Sequence, residues 1–133
     1  RRVLFGCCQS DWIFSTDVTL EAAYSTTELV LQKFQPDAII TINDFMAMGV
    51  LKCLKEHELC VAQDISVAGY DDIIYSSILE TSLTTVRQPL EQICRRTISM
   101  LLKQLDSPDE TDVIIEKILL KPDLIIRSSS KPH

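Results

Sequence analysis

The sequence predicts an α/β fold: a parallel sheet with helices on both faces. Short apolar runs alternate along the chain with longer stretches whose apolar residues recur at helical spacing. One run, Ala38-Ile39-Ile40-Thr41-Ile42, is almost unbroken in its apolar character, as strands buried on both faces are. The composition, 46% hydrophobic and 24% charged over 133 residues, suits one globular domain with a single core. The order strand, helix, strand, helix, strand then implies right-handed crossovers between parallel strands.

Val3 to Cys8 is short and apolar and predicts the first strand. From Thr19 to Phe34, the positions Leu20, Ala23, Tyr24, Leu29, Val30 and Phe34 give a helical period, with Asp17 or Thr19 as cap. Pro36 ends that helix, and Ala38–Ile42 is a buried strand. Asn43-Asp44 opens the next helix, whose faces carry Phe45, Met46, Met48, Val50, Leu51 and Leu54. Ile65–Tyr70 is a strand stopped by Asp71-Asp72, and Ile73–Leu79 a short helix. Leu83–Val86 is extended and leads to Pro89, a residue suited to a helix start. Leu90–Leu105 is amphipathic, with Leu90, Ile93, Cys94, Thr97, Ile98, Leu101, Leu102 and Leu105 on one face. Residues 107–112 form a loop; 113–115, 118–120 and 124–126 are β-prone; Ser128 onward is a tail.

Charge narrows the function. A net charge of -6 makes the chain a poor partner for DNA or anionic lipid, because nucleic-acid affinity comes largely from cations meeting phosphates. No apolar run approaches the roughly 18 residues of a membrane span, and Arg1-Arg2-Val3-Leu4 lacks a signal-peptide core. Five cysteines in no framework spacing suggest reduced thiols and a cytoplasmic home.

Ligands of parallel sheets gather at the carboxyl ends of the strands, and Asn43 and Asp71 both lie there. An amide that donates and accepts, beside a carboxylate that accepts, suits a polyhydroxylated or heteroaromatic molecule. The plainer alternative is that Asn43 caps the following helix and Asp71 closes a turn. Asp71-Asp72 also admits a metal-binding or phospho-acceptor reading, for which neither a third carboxylate nor a lysine partner can be assigned. Cys7-Cys8 is too tight for zinc-ligand spacing, and His57 sits in the polar run Lys55-Glu56-His57-Glu58. No serine stands in a nucleophile-elbow setting and no glycine-rich phosphate loop exists among Gly6, Gly49 and Gly69. The chain is therefore expected to carry no catalytic residue, metal or cofactor.

Four motifs add a resemblance. Residues 36–49, PDAIITINDFMAMG, resemble the PxAIxxxNDxMAxG segment of LacI/GalR repressors. DISVAGYDD at 64–72 is similar to that family's DISVxGYDD, LTTVRQP at 83–89 to its LTTVxQP, and LIIRSS at 124–129 to its LxxRxS. The resemblance implies a type I periplasmic-binding-protein-like fold of two lobes. A sugar, sugar phosphate or purine effector is clamped between them, and the protein works as a homodimer. Operator DNA would be bound only through a helix-turn-helix domain outside this chain. A periplasmic sugar-binding protein of the same fold is the alternative.

Carried over residue by residue, the resemblance implies effector contacts at Asn43 and Asp71. Asp17 and Val18, with Trp12 a looser option, are further positions, and Leu90 and Ile93 line the cleft or the lobe junction. Met46, Met48, Lys52, Tyr75, Ile78 and Leu79 fall on the implied dimer surface. Residues 1–87 and 118–130 would form the carboxy-terminal lobe, while residues 88–117 would pack on the amino-terminal lobe. Without that support, the helix from Leu90 is expected to take another packing or to drive self-association. Ala62 and Ser82 stand where the family usually has proline, and Ala23 where it has glycine. The arginine motif that grips a sugar hydroxyl in relatives is not identifiable.

Overall fold

The computed structural model describes residues 12–105 and 117–131. The first predicted strand, Val3–Cys8, and the β-prone 113–115 lie outside these residues. Helix α1 (Leu20–Lys33) is followed by β1 (Ala38–Ile40), α2 (Asp44–Glu56) and β2 (Ser66–Tyr70). A short 3₁₀ helix (Ile74–Ser77), β3 (Thr84–Arg87), α3 (Leu90–Leu105) and β4 (Asp123–Ile125) complete the order. The sheet runs β1-β2-β3-β4, with β1, β2 and β3 parallel.

Local chemistry explains the ends of the elements. Thr19 is the cap of α1: its hydroxyl accepts from the Ala22 N–H at 3.1 Å, while Asp17 stays outside the helix. α1 ends at Lys33 and the chain turns extended at Phe34, two residues ahead of Pro36. Asn43 caps α2, its Oδ1 accepting from the Met46 N–H at 2.9 Å.

The core lies between the sheet and the pair α1–α2. Ala47, Val50 and Leu54 of α2 pack on Ile65, Val67 and Leu83, with Leu31 of α1 and Ile39 of β1 at the margin. The two helices approach closely at Gly49, where an added Cβ would sit 2.2 Å from the Leu20 carbonyl oxygen. Both helices therefore serve one face of the sheet. Alternation along the strands puts Ile40, Tyr70 and Val86 on the other face. On that face Ile40 is 80% exposed and Val86 half-buried.

The structure corrects several expectations. β4 pairs with β3 antiparallel, so the sheet is mixed. β1 is an edge strand among the described residues and is not buried, because no strand pairs its outer side there. Residues 118–120 form no strand; Ile118 and Leu120 instead line a shallow groove with Ile93, Thr97 and Met100 of α3. The segment from Ser128 is no tail. Ser129 is fully buried, its hydroxyl donating to the Val67 carbonyl at 2.6 Å and accepting from the Thr84 N–H at 2.7 Å. α3 forms as predicted, yet none of its residues is buried.

Ala62 has φ 67° and its N–H donates to the Ile65 carbonyl at 2.9 Å. A proline, with φ fixed negative and no N–H, could do neither. The departure from the family's proline thus goes with a different local turn.

Candidate effector site at the carboxyl edge of the sheet

Three loops leave the carboxyl ends of the parallel strands: Thr41–Asn43 after β1, Asp71–Asp72 after β2 and Gln88–Pro89 after β3. They bring Asn43, Asp71 and Gln88 to one edge. Gln88 Nε2 donates to Asp71 Oδ1 at 2.7 Å, and the Asp71 N–H donates to the Val86 carbonyl at 2.9 Å. Asp71 is thus held from both its backbone and its side chain, and its Oδ2 has no partner among the described residues. Asn43 spends Oδ1 on its helix cap, which leaves the Nδ2 donors without a partner among those residues. The capping and binding readings of Asn43 use different atoms and coexist.

The backbone at Asp71 and Asp72 is unusual. Their φ values are 108° and 53°, a region that L side chains rarely adopt. Such residues cost on the order of 1–3 kcal/mol each and persist only when the surroundings fix them. Here Asp72 supplies the fixing. Its side chain is 6% exposed, with Oδ1 taking Arg127 Nη2 and Oδ2 taking Arg87 Nε, each at 2.6 Å. Arg127 also donates to the Leu83 carbonyl at 2.7 Å. Burial works against the charge of Asp72, but the two guanidiniums outweigh it and hold the carboxyl below the usual range. Asp72 is committed to this structural ion pair, which speaks against a phospho-acceptor or metal-binding pair.

Next to Asn43, Asp44 is fully buried and takes three donors. The Ile73 N–H and Ser76 Oγ donate to its Oδ2 at 3.0 and 2.6 Å, and Thr85 Oγ1 donates to its Oδ1 at 2.5 Å. A buried carboxylate is tolerable only when satisfied in this way. It also stands in the first turn of α2, where the helix dipole favours negative charge.

Asp17 and Val18 are exposed and precede α1, and no hydrogen bond ties them to Asn43 or Asp71 among the described residues. Trp12 is exposed. Two residues on, Phe14 meets Phe34 edge-to-face at 6.0 Å, at the far end of a helix about 21 Å long. Leu90 is exposed and Ile93 half-buried, both in the first turn of α3 that follows Gln88-Pro89. On the expected dimer surface, Met46 is buried within its own chain at 8% exposure, so its side chain serves the fold. Met48 and Leu79 are half-buried, while Lys52, Tyr75 and Ile78 are exposed. Sequence reasoning missed Gln88, Asp44, Asp72 and Arg127 as site-building residues. All four sit in the quoted motifs, and what assigns their roles is pairing across the fold. Burial pushes the Cys53 thiol up to about 11, keeping it protonated in the core.

Paired polar side chains stand at the carboxyl edge of a mixed α/β sheet, the edge where sheets of this kind take their ligands. A family model described as periplasmic binding protein-like domain matches residues 8–130, and the chain belongs to that family. The proteins it resembles include transcriptional repressors and LacI family regulators. The HTH-type transcriptional repressor PurR of Pectobacterium atrosepticum is 36% identical over 122 residues, 91% of this chain and 35% of that protein. The lac repressor dimer, solved bound to operator and the anti-inducer ONPF, superposes with TM-score 0.76 at 28% identity. The match covers 86% of this chain and 39% of that one. A LacI family regulator from Arthrobacter sp. FB24 in complex with lactose gives TM-score 0.73 at 27% identity, covering 87% and 43%. The chain spans about a third of the length of the curated relatives it matches. Among the described residues no helix is long and apolar enough to cross a membrane.

Proposed function

We propose that this chain is the effector-sensing and dimerising part of a LacI/GalR-type transcription repressor, and that it performs no catalysis. The observation that carries the reading is the Gln88–Asp71 hydrogen bond in a left-handed loop, with Asn43 at the neighbouring strand end. Asp71 Oδ2 accepts from a hydroxyl or ring N–H of the effector, and Asn43 Nδ2 donates to one of its oxygens. Gln88 fixes the Asp71 carboxylate before the ligand arrives, so little ordering remains to be done on binding. Asp17, Val18, Leu90 and Ile93 form the outer wall of the cleft. The lactose complex of the Arthrobacter relative favours a sugar or sugar-like metabolite.

Effector binding across two lobes favours one of their arrangements, and differential affinity for the two states couples it to operator binding elsewhere in the protein. Residues 1–87 and 118–130 supply one lobe; 88–117, with the apolar stripe of α3, pack on the other. Met48, Lys52, Tyr75, Ile78 and Leu79 meet a second copy. Because the relatives are repressors, an exported sugar-binding protein is the less favoured reading.

Thermal melting of the full-length protein against sugars, sugar phosphates and purines tests this. A ligand at 100 times its Kd adds about 2.7 kcal/mol, a rise of several degrees. The expected outcome is one compound class that raises the parent's Tm and leaves Asp71→Ala unmoved. A well-folded protein that no compound stabilises would overturn the reading.

A further inference from the structure

We infer that Asp44 is a positioning residue that joins the effector site to the segment Ile73–Ile78, which carries Tyr75 and Ile78. The inference rests on the effector-site reading of Asn43 and Asp71, but its test needs no effector. Asp44 follows the α2 cap directly, so its Cα moves with Asn43. Its Oδ2 grips the segment after Asp72 twice, through the Ile73 N–H and Ser76 Oγ, and its Oδ1 takes Thr85 from β3. Thr85 Oγ1 in turn receives the Asp72 N–H at 3.4 Å.

The packing leaves this carboxylate no freedom. It is 0% exposed, and an added Cβ on Gly69 would lie 2.2 Å from Oδ1, so β2 passes directly beneath it. The Ser76 hydroxyl is buried with it, while Tyr75 and Ile78 on either side point out, Ile78 at 70% exposure. A shift of Asn43 is therefore passed to Tyr75 and Ile78 through one buried carboxylate and its donors. A helix cap alone would not require Asp44: Asn43 already caps α2, and nothing in capping calls for three donors from residues 29 to 41 positions away.

The test is a resonance cycle on the full-length protein. Asn43→Ser keeps a capping oxygen but removes the amide. In the parent it should move the Ile78 methyl and Tyr75 ring resonances. In a Ser76→Ala background, with one donor removed, the same substitution should move them by less than about half as much. Thr85→Val serves if Ser76→Ala folds poorly. Val50→Ala, which loosens the core without touching the carboxylate, should lower Tm and leave the effect of Asn43→Ser at full size. Undiminished displacements in Ser76→Ala and Thr85→Val, or none in the parent, would overturn the inference. Failure of the ligand panel with an intact cycle would instead reject the effector reading alone.

Discussion

The amphipathic helices α2 and α3 are made of similar material and meet opposite fates. α2 buries Ala47, Val50, Cys53 and Leu54 against β2 and α1. α3 has the stronger separation of apolar and polar faces, yet Leu101, Leu102 and Leu105 stay more than half exposed. Its polar face is ordinary, with Arg95 paired to Glu91 one turn back. Amphipathicity states that a helix has a face to bury; it does not say on what. α2 finds its partner within the described residues, whereas the stripe of α3 finds none there, and the proposed function would pack it on an amino-terminal lobe.

This contrast predicts a steep gradient of mutational cost. Leu54→Ala removes a fully buried side chain between α2 and the sheet, and should cost about 2–5 kcal/mol in denaturant unfolding. A cost below about 1 kcal/mol would mean that α2 is as loosely held as α3.

The Asp72–Arg127–Arg87 cluster should show an intermediate effect with a definite sign. The folded state lowers the Asp72 carboxyl, so its stabilisation is complete above the unfolded value, from about pH 5 upward. It is lost as pH falls through the lowered folded value. Asp72→Asn should therefore flatten the acid limb of the stability–pH curve, and Arg127→Met should weaken it. An unchanged acid limb in Asp72→Asn would show that the pair is not formed in solution.

The smallest effect is expected on α3. Leu101→Gln should change the unfolding of the lobe built around α2 by less than about 0.5 kcal/mol, the range of ordinary surface positions. A core-sized loss in the full-length protein, tracked to that lobe by hydrogen exchange, would mean α3 packs on it after all.

Much of this was legible in the sequence, and the gaps have physical causes. The order of elements, the cap at Asn43 and the edge holding Asn43 and Asp71 followed from periodicity and turn chemistry. The antiparallel direction of β4 is not legible in the β-prone run 124–126, because no local signal distinguishes a parallel from an antiparallel partner. Ile40 looked buried because apolar character reports a preference, and the neighbour that would satisfy it is set by the whole chain. Ser129 looked like tail because a run of serines reads as loop, whereas its hydroxyl completes the edge between β2 and β3. The support of Asp71 by Gln88, and of its neighbour Asp72 by Arg127, spans 17 and 55 positions, which no short-range pattern encodes.

The most direct measurement follows the side-chain amides of Asn43 and Gln88 by nuclear magnetic resonance while the full-length protein is titrated with lactose and then the rest of the compound panel. One compound should move both amide pairs together to saturation, and Asp71→Ala should abolish the response. A compound that binds and perturbs other residues while both pairs stay still would contradict this expectation, as would a panel in which nothing binds.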